Sequence, residues 1–225
     1  MELDRPQHIK EILDGGQYDG LISQDQGRAV ALLSGGIDST VAMMLAKQSG
    51  LDVVGLEFFY QGRPPREATN VGKICELTNT DLYRVNYPEP VKRNNFKADA
   101  EKIGISESNV LYYSIAAGFA HKKNLDYIIG GQILNDWIGS KDPRAMPEHY
   151  YVLNELLKRE YSFNPPQIIM PLIYLNKIEV VKIGKHLKAP LKLTWSCPRS
   201  NEVPCMECIQ CKEKEEAFRI VYDEE

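Results

Sequence analysis

Apolar positions along the 225-residue chain come either as short solid runs or at helical spacing. The run 29–33, Ala-Val-Ala-Leu-Leu, is solid and too short for a buried helix, so it predicts a strand covered on both faces. After a Ser-Gly-Gly-Ile-Asp-Ser turn, Val41, Met44 and Leu45 recur at helical spacing and predict a helix that starts near Ser39. Residues 52–59 predict a second strand, 67–77 a helix and 82–85 a short strand. Helices are expected at 90–102 and 108–122, the latter with Val110, Leu111, Ile115, Ala116 and Phe119 on one face. A strand at 124–130 and helices at 147–161 and 177–187 follow. This alternation predicts an α/β fold, a doubly wound parallel sheet that takes its ligands at the carboxyl ends of the strands. The expected organisation is an N-terminal extension over 1–27, an α/β domain over 28–190, and a tail over 191–225 packed on that domain.

Composition narrows the partners. With 43% apolar and 26% charged residues, the chain has a core and an ordinary soluble surface. A net charge of −4 disfavours a broad nucleic-acid surface, so no stable nucleic-acid partner is expected. No apolar run approaches membrane-spanning length, and the polar start lacks a signal-peptide core, so a cytoplasmic protein is expected.

The turn between the first strand and helix concentrates Ser34, Gly35, Gly36, Asp38, Ser39 and Thr40. Serine and aspartate near a helix start also suit plain capping. The combination of glycines, three hydroxyls and a carboxylate, however, suits a phosphate chain at the positive end of a helix, with the carboxylate toward Mg²⁺. It is neither a Walker loop nor the glycine fingerprint of dinucleotide folds.

Four of the five cysteines fall in fifteen residues: Cys197, Cys205, Cys208 and Cys211. In a reducing compartment such clustering means metal or redox chemistry. Four thiolates close a tetrahedral Zn²⁺ site with no open position, and a redox-active Cys-x-x-Cys pair or unliganded thiols are the alternatives. Cys75 is expected in the core, His186 on a solvated helix face, and the four histidines show no ligand spacing.

The Ser34–Gly35–Gly36–x–Asp38–Ser39 pattern resembles the pyrophosphate loop of the adenine-nucleotide α-hydrolases at every fixed position. Pro171-Leu172, Asn176-Lys177, Thr194-Trp195-Ser196-Cys197 and Pro204-Cys205 with its two Cys-x-x-Cys steps are similar to the 7-cyano-7-deazaguanine synthase family, over roughly 28–220. That resemblance implies an ATP-dependent ligase. It would adenylate a deazapurine carboxylate, add ammonia, and adenylate the resulting amide to leave a nitrile, a queuosine and archaeosine precursor. It further implies ATP, Mg²⁺ and Zn²⁺, a homodimer, and Asp38, Ser39 and Lys177 as the catalytic set.

Lys177 is either a counter-charge to phosphate or an exposed helix lysine, and Arg63 and Arg66 either neighbour the nucleotide or form a solvated turn. Asn109, Asp136, Trp137 and Glu148 are the substrate candidates, Trp137 being either a base-stacking ring or a core residue. The chain departs from the family pattern at Glu107-Ser108-Asn109, which keeps only the asparagine, and over 136–148, which is longer and lacks a Tyr-Pro-Asp-Cys core. The competing functions are another adenylating enzyme of the superfamily (a tRNA thiolase or an amide ligase) and a nucleotide-binding zinc module without the activity.

Overall fold

The computed structural model describes residues 5–23, 26–60, 65–87, 90–91, 105–106, 108–138, 145–199 and 202–223. Its strands are β1 (Arg28–Leu32), β2 (Asp52–Phe59), β3 (Leu82–Asn86), β4 (Pro90–Val91), β5 (Ile105–Ser106), β6 (Tyr127–Ile129) and β7 (Gln167–Ile169). Its helices are α1 (Gln7–Gly15), α2 (Ile37–Gln48), α3 (Pro65–Leu77), α4 (Asn109–Lys123), α5 (Leu134–Ile138), α6 (Pro147–Glu160), α7 (Lys177–His186) and α8 (Ile209–Asp223).

The solid apolar run becomes the middle strand of a parallel sheet in the order β3-β2-β1-β6-β7. Val30 of β1 stands opposite Val54 on one side and Ile128 on the other. Alternate residues then serve opposite layers. Ala29 and Ala31 face Val41 and Leu45 of α2 and Val180 and Ile183 of α7, while Val30 faces Ala116, Ala117 and Ala120 of α4 and Leu153 of α6. Both faces are dry, which is why the strand carries no alternation. The chain lays β2 and β3 on one side of β1 and then β6 and β7 on the other, so the strand order reverses between β1 and β6. A crevice opens at such a reversal, outside the carboxyl ends of the strands.

Several boundaries differ from the sequence expectation. α2 starts at Ile37, because Gly36 (φ −83°, ψ 172°) takes the extended cap position, and Asp38 and Ser39 thereby enter its first turn. Asn124 ends α4 in the left-handed conformation (φ 51°), so the next strand begins at Tyr127 and not at 124. The helix expected from 90 does not start there. Pro90 and Val91 pair in parallel with Ile105 and Ser106, and the remainder of that expected helix, 92–102, lies outside the described residues.

α1 buries Ile9, with Leu21 and Ile22 following, in the same core as α2 and α7. Arg5 adds a two-pronged contact to Glu179 of α7, at 2.8 and 2.9 Å. α8 packs Ala217 and Val221 against α7. Cys75 is buried, and burial pushes its thiol up to about 11; His186 is exposed and sets its ring edge against Tyr18. No described helix is long and apolar enough to cross a membrane.

Candidate active site

The loop after β1 is shaped by a left-handed glycine. Gly35 has φ +82°, and a Cβ there would sit 2.9 Å from the Glu67 carbonyl oxygen of α3, so only glycine allows this approach. Within the loop the Ser34 and Ser39 hydroxyls lie 3.1 Å apart, and Gly36 N–H donates to Ser34 Oγ at 3.3 Å. The Thr40 hydroxyl donates back to the Gly36 carbonyl at 2.8 Å, which anchors the first turn instead of facing a ligand. The first intrahelical bond is Thr40 N–H to Gly36 O, so the N–H groups of Ile37, Asp38 and Ser39 have no intrahelical acceptor. These are the donors that an anion would meet, at the positive end of a twelve-residue helix.

Across the reversal stands Gly131. A Cβ there would lie 2.7 Å from the Ser39 backbone nitrogen, so its absence lets the end of β6 abut the start of α2. Lys177 enters from the start of α7, and its Nζ donates to both Asp38 oxygens at 2.6 and 2.8 Å, with both side chains mostly buried. It is thus not an exposed helix lysine. Its backbone is held as firmly. Asn176 caps the helix in a reciprocal box with Glu179, and Lys177 N–H donates to Asn135 Oδ1 at 3.2 Å.

A cavity of about 310 Å³ opens from this corner. Ser34, Asp38, Ser39 and Gly131 line one end; Phe58, Tyr60 and Tyr112 form an aromatic wall; Asn109, Tyr113 and Gln132 complete the other side. Phe58 and Tyr112 pack with their rings tilted by 58° and centroids 4.9 Å apart, and Tyr87 lies 5.1 Å from Tyr112. Tyr113 donates its hydroxyl to Gln132 Oε1 at 2.7 Å, and burial raises its pKa well above the phenol value, so it stays a donor. Asn109 Nδ2 donates to Tyr150 Oη at 3.1 Å.

Of the substrate candidates whose side chains are described, only Asn109 lines this cavity. Asp136 is an exposed residue whose carboxylate folds back to accept from Ile133 N–H at 2.9 Å. Desolvation of that carboxyl raises its pKa, and the nearby Asp38 charge adds to the rise. Glu148 is exposed in the first turn of α6, toward Tyr174. The Trp137 side chain, residues 139–144 and Arg63 lie outside the described residues. Arg66 is exposed at the start of α3, its guanidinium 5.3 Å over the Trp195 ring and donating to the Glu202 carbonyl at 3.0 Å.

The four clustered cysteines converge, with all sulfurs within 4.8 Å of one another. Tetrahedral zinc with bonds of about 2.3 Å needs sulfurs roughly 3.8 Å apart, so small adjustments admit a metal ion. Cys205 N–H donates to Cys197 Sγ, Cys208 N–H to Cys205 Sγ and Cys211 N–H to Cys208 Sγ, each at 3.4 Å. N–H donors from Glu207 and Cys208 lower Cys205 to about 6, whereas burial pushes Cys211 up to about 12. A bound cation is what lets all four ionise together.

Gln132, Tyr113, Phe58 and the Trp195 backbone escape the sequence reading. Gln132 had one signal, its place directly after the paired glycines that end the strand. The aromatic wall had none, since Phe58 comes from β2, Tyr60 from just beyond it and Tyr112 from α4.

The profile described as "Queuosine biosynthesis protein QueC" matches residues 28–222. The chain is 33% identical over 202 residues to the 7-cyano-7-deazaguanine synthase of Picrophilus torridus, covering 82% of this chain and 84% of that one. It is 32% identical over 213 residues to the synthase of Methanothrix thermoacetophila, covering 85% and 94%. Among solved structures, the U34-tRNA thiolase NcsA of Methanococcus maripaludis, with its [4Fe-4S] cluster, superposes with a TM-score of 0.55 at 14% identity, covering 94% of this chain and 73% of that one. The NMN synthetase of Francisella tularensis does so at 0.53 and 17%, covering 98% and 94%, and at such identities the likeness is one of fold. With the profile spanning most of the chain and the synthases aligned across it, the chain belongs to the QueC family.

Proposed function

We propose that this chain is an ATP-dependent carbon–nitrogen ligase that converts 7-carboxy-7-deazaguanine into 7-cyano-7-deazaguanine. The observation that carries the reading is the junction of the Ser34–Gly36 turn, the Asp38–Lys177 pair and the aromatic-walled cavity at one strand-order reversal, in a chain of this family.

A carboxylate oxygen is a poor leaving group. Its attack on the α-phosphorus of ATP expels pyrophosphate and makes AMP the leaving group instead. Ammonia then adds at the acyl carbon and AMP departs, giving the amide and a proton. The amide oxygen attacks the α-phosphorus of a second ATP and expels a second pyrophosphate, and loss of AMP with both protons of the amide nitrogen leaves the nitrile. The protein supplies position and charge for this sequence. The first-turn N–H groups of α2 and the Ser34 and Ser39 hydroxyls hold the polyphosphate, with Gly35 and Gly36 giving it room. Lys177 offsets its charge, and Asp38 is shared between Lys177 and the Mg²⁺ that accompanies the nucleotide. Asn109 and Gln132 face the acid. Zn²⁺ on Cys197, Cys205, Cys208 and Cys211 supplies a closed structural site. The thiolase alternative has less support, since the aligned relatives are synthases and the net charge is negative.

Incubation with ATP, ammonium and 7-carboxy-7-deazaguanine, read by mass, tests this. The expected products are the nitrile, AMP and pyrophosphate. ATP bound without AMP formation from this acid would defeat the substrate assignment, and orthophosphate release from pure protein would defeat the cleavage position.

A further inference from the structure

Two peptide planes shape the phosphate turn, and they are held from different places. The Gly36 carbonyl is held by α2 itself, through the Thr40 N–H at 3.3 Å and the Thr40 and Ser39 hydroxyls at 2.8 and 3.3 Å. The Gly35 carbonyl instead accepts from Trp195 N–H at 2.8 Å, a donor 160 residues further along the chain.

In a trans peptide the carbonyl and the N–H point in opposite directions. Anchoring Gly35 O on Trp195 therefore turns Gly36 N–H the other way, onto Ser34 Oγ, and Ser34 lines the cavity. This plane lies between two glycines, where no Cβ resists its rotation. Its direction is set by the bonds at its two ends, Trp195 N–H to Gly35 O and Gly36 N–H to Ser34 Oγ.

Trp195 in turn belongs to the cysteine cluster. The residue is 7% exposed and packs with Cys197, Cys208 and Cys211, and its Nε1–H donates to the Cys197 carbonyl at 2.8 Å. Lys214, one turn beyond Cys211 on α8, clamps the preceding residue by donating to Thr194 O at 2.6 Å and Thr194 Oγ1 at 3.2 Å.

We propose that Trp195 is a positioning residue for the phosphate turn. Its backbone N–H, delivered by the cysteine tail, keeps Gly36 N–H on Ser34 Oγ and so leaves that hydroxyl's own proton for the anion; anion affinity therefore depends on an occupied cysteine cluster. The inference rests on reading the 34–39 turn as a phosphate site. It adds that the metal acts on that site through one backbone hydrogen bond.

The test is calorimetric titration of inorganic pyrophosphate into the full chain, zinc-loaded and after stripping by a chelator under reducing conditions. A hydrogen bond to a charged acceptor makes the expected loss on stripping about tenfold to a hundredfold, restored by added zinc. Because stripping could unfold the tail, Lys214→Met provides a second arm with all four cysteines in place. That variant should keep one metal per chain, bind pyrophosphate a few-fold more weakly, and show a displaced Gly36 amide resonance in ¹⁵N-glycine-labelled protein before any ligand is added. A purely structural zinc would leave that resonance alone. Equal affinity of loaded and stripped chains, or a metal-replete Lys214→Met with wild-type affinity and Gly36 shift, overturns the coupling. A loaded wild-type chain indifferent to pyrophosphate overturns the phosphate reading itself, and the coupling with it.

Discussion

At the phosphate end of the cavity, the bonds among Ser34, Gly36, Ser39 and Thr40 span two to five residues of chain. At the opposite end, Tyr113 reaches Gln132 across 19 residues and Asn109 reaches Tyr150 across 41. The first end is a short-range device, fixed by a glycine turn and a helix start that any chain with those residues can form. The second exists only once β6, α4 and α6 have packed. A phosphate has the same shape in every nucleotide and suits a portable device. An acid substrate differs between enzymes and suits a surface assembled by packing.

The comparison is broken hardest at the point where the short-range device borrows from afar. Cys208→Ser removes a buried thiolate from a site whose metal affinity, in zinc-finger peptides, amounts to about 10–16 kcal/mol. Metal analysis of freshly purified wild-type chain should give one zinc, and the variant should lose it, with an early melting transition of the tail. Wild-type protein that is free of zinc when reduced and freshly purified would refute the assignment.

Next in size is Asp38→Ala. It leaves Lys177 without its partner and removes the proposed Mg²⁺ carboxylate, so AMP formation should fall about 10²–10³-fold. Far-UV circular dichroism should not change, because α2 is anchored by Ile37, Val41 and Leu45 in the core. Activity within a factor of ten of wild type would remove Asp38 from the catalytic set.

How much of this was legible follows the same divide. The turn, β1 and α2 could be read because their determinants adjoin one another, and so could the spacing of the cysteines. Lys177 stood open between two readings, since its partner is 139 residues away. β7 is three residues long and gives no period to detect, while α8 gives a weak one, because its buried apolar positions Ala217 and Val221 are sparse in a charged segment. A backbone donor such as Trp195 N–H has no sequence signature, because every residue but proline carries one.

Tyr113→Phe sharpens the long-range side. The variant keeps the ring that packs against Tyr150 and loses the hydroxyl that orients Gln132. A neutral hydrogen bond is worth about 1 kcal/mol, so KM for the acid should rise roughly fivefold while ATP affinity holds. Steady-state kinetics with each substrate varied in turn would show it, and an equal change in both would mean that the pair serves the whole cavity.

The smallest effect concerns Asp136, whose carboxyl feels the charges of Asp38 and Lys177. Its folded pKa is raised, by desolvation first and then by Asp38, with Ile133 N–H opposing. Below the unfolded carboxyl pKa, near 3.9, the side chain is protonated in both states and costs nothing. As pH rises from there toward the higher folded value, the unfolded chain releases its proton first, so stability falls through that window, and the penalty is complete above it. Asp136→Asn keeps an acceptor for Ile133 N–H and removes the charge. It should therefore raise the melting temperature at pH 7, by less than roughly 4 °C for a chain of this length, and the gain should vanish near pH 3. Melting curves of both proteins between pH 3 and 8 give the difference directly. A variant less stable than wild type at pH 7 would mean that the Asp136 carboxylate is held by favourable partners, and that the charge balance around Asp38 and Lys177 depends on it.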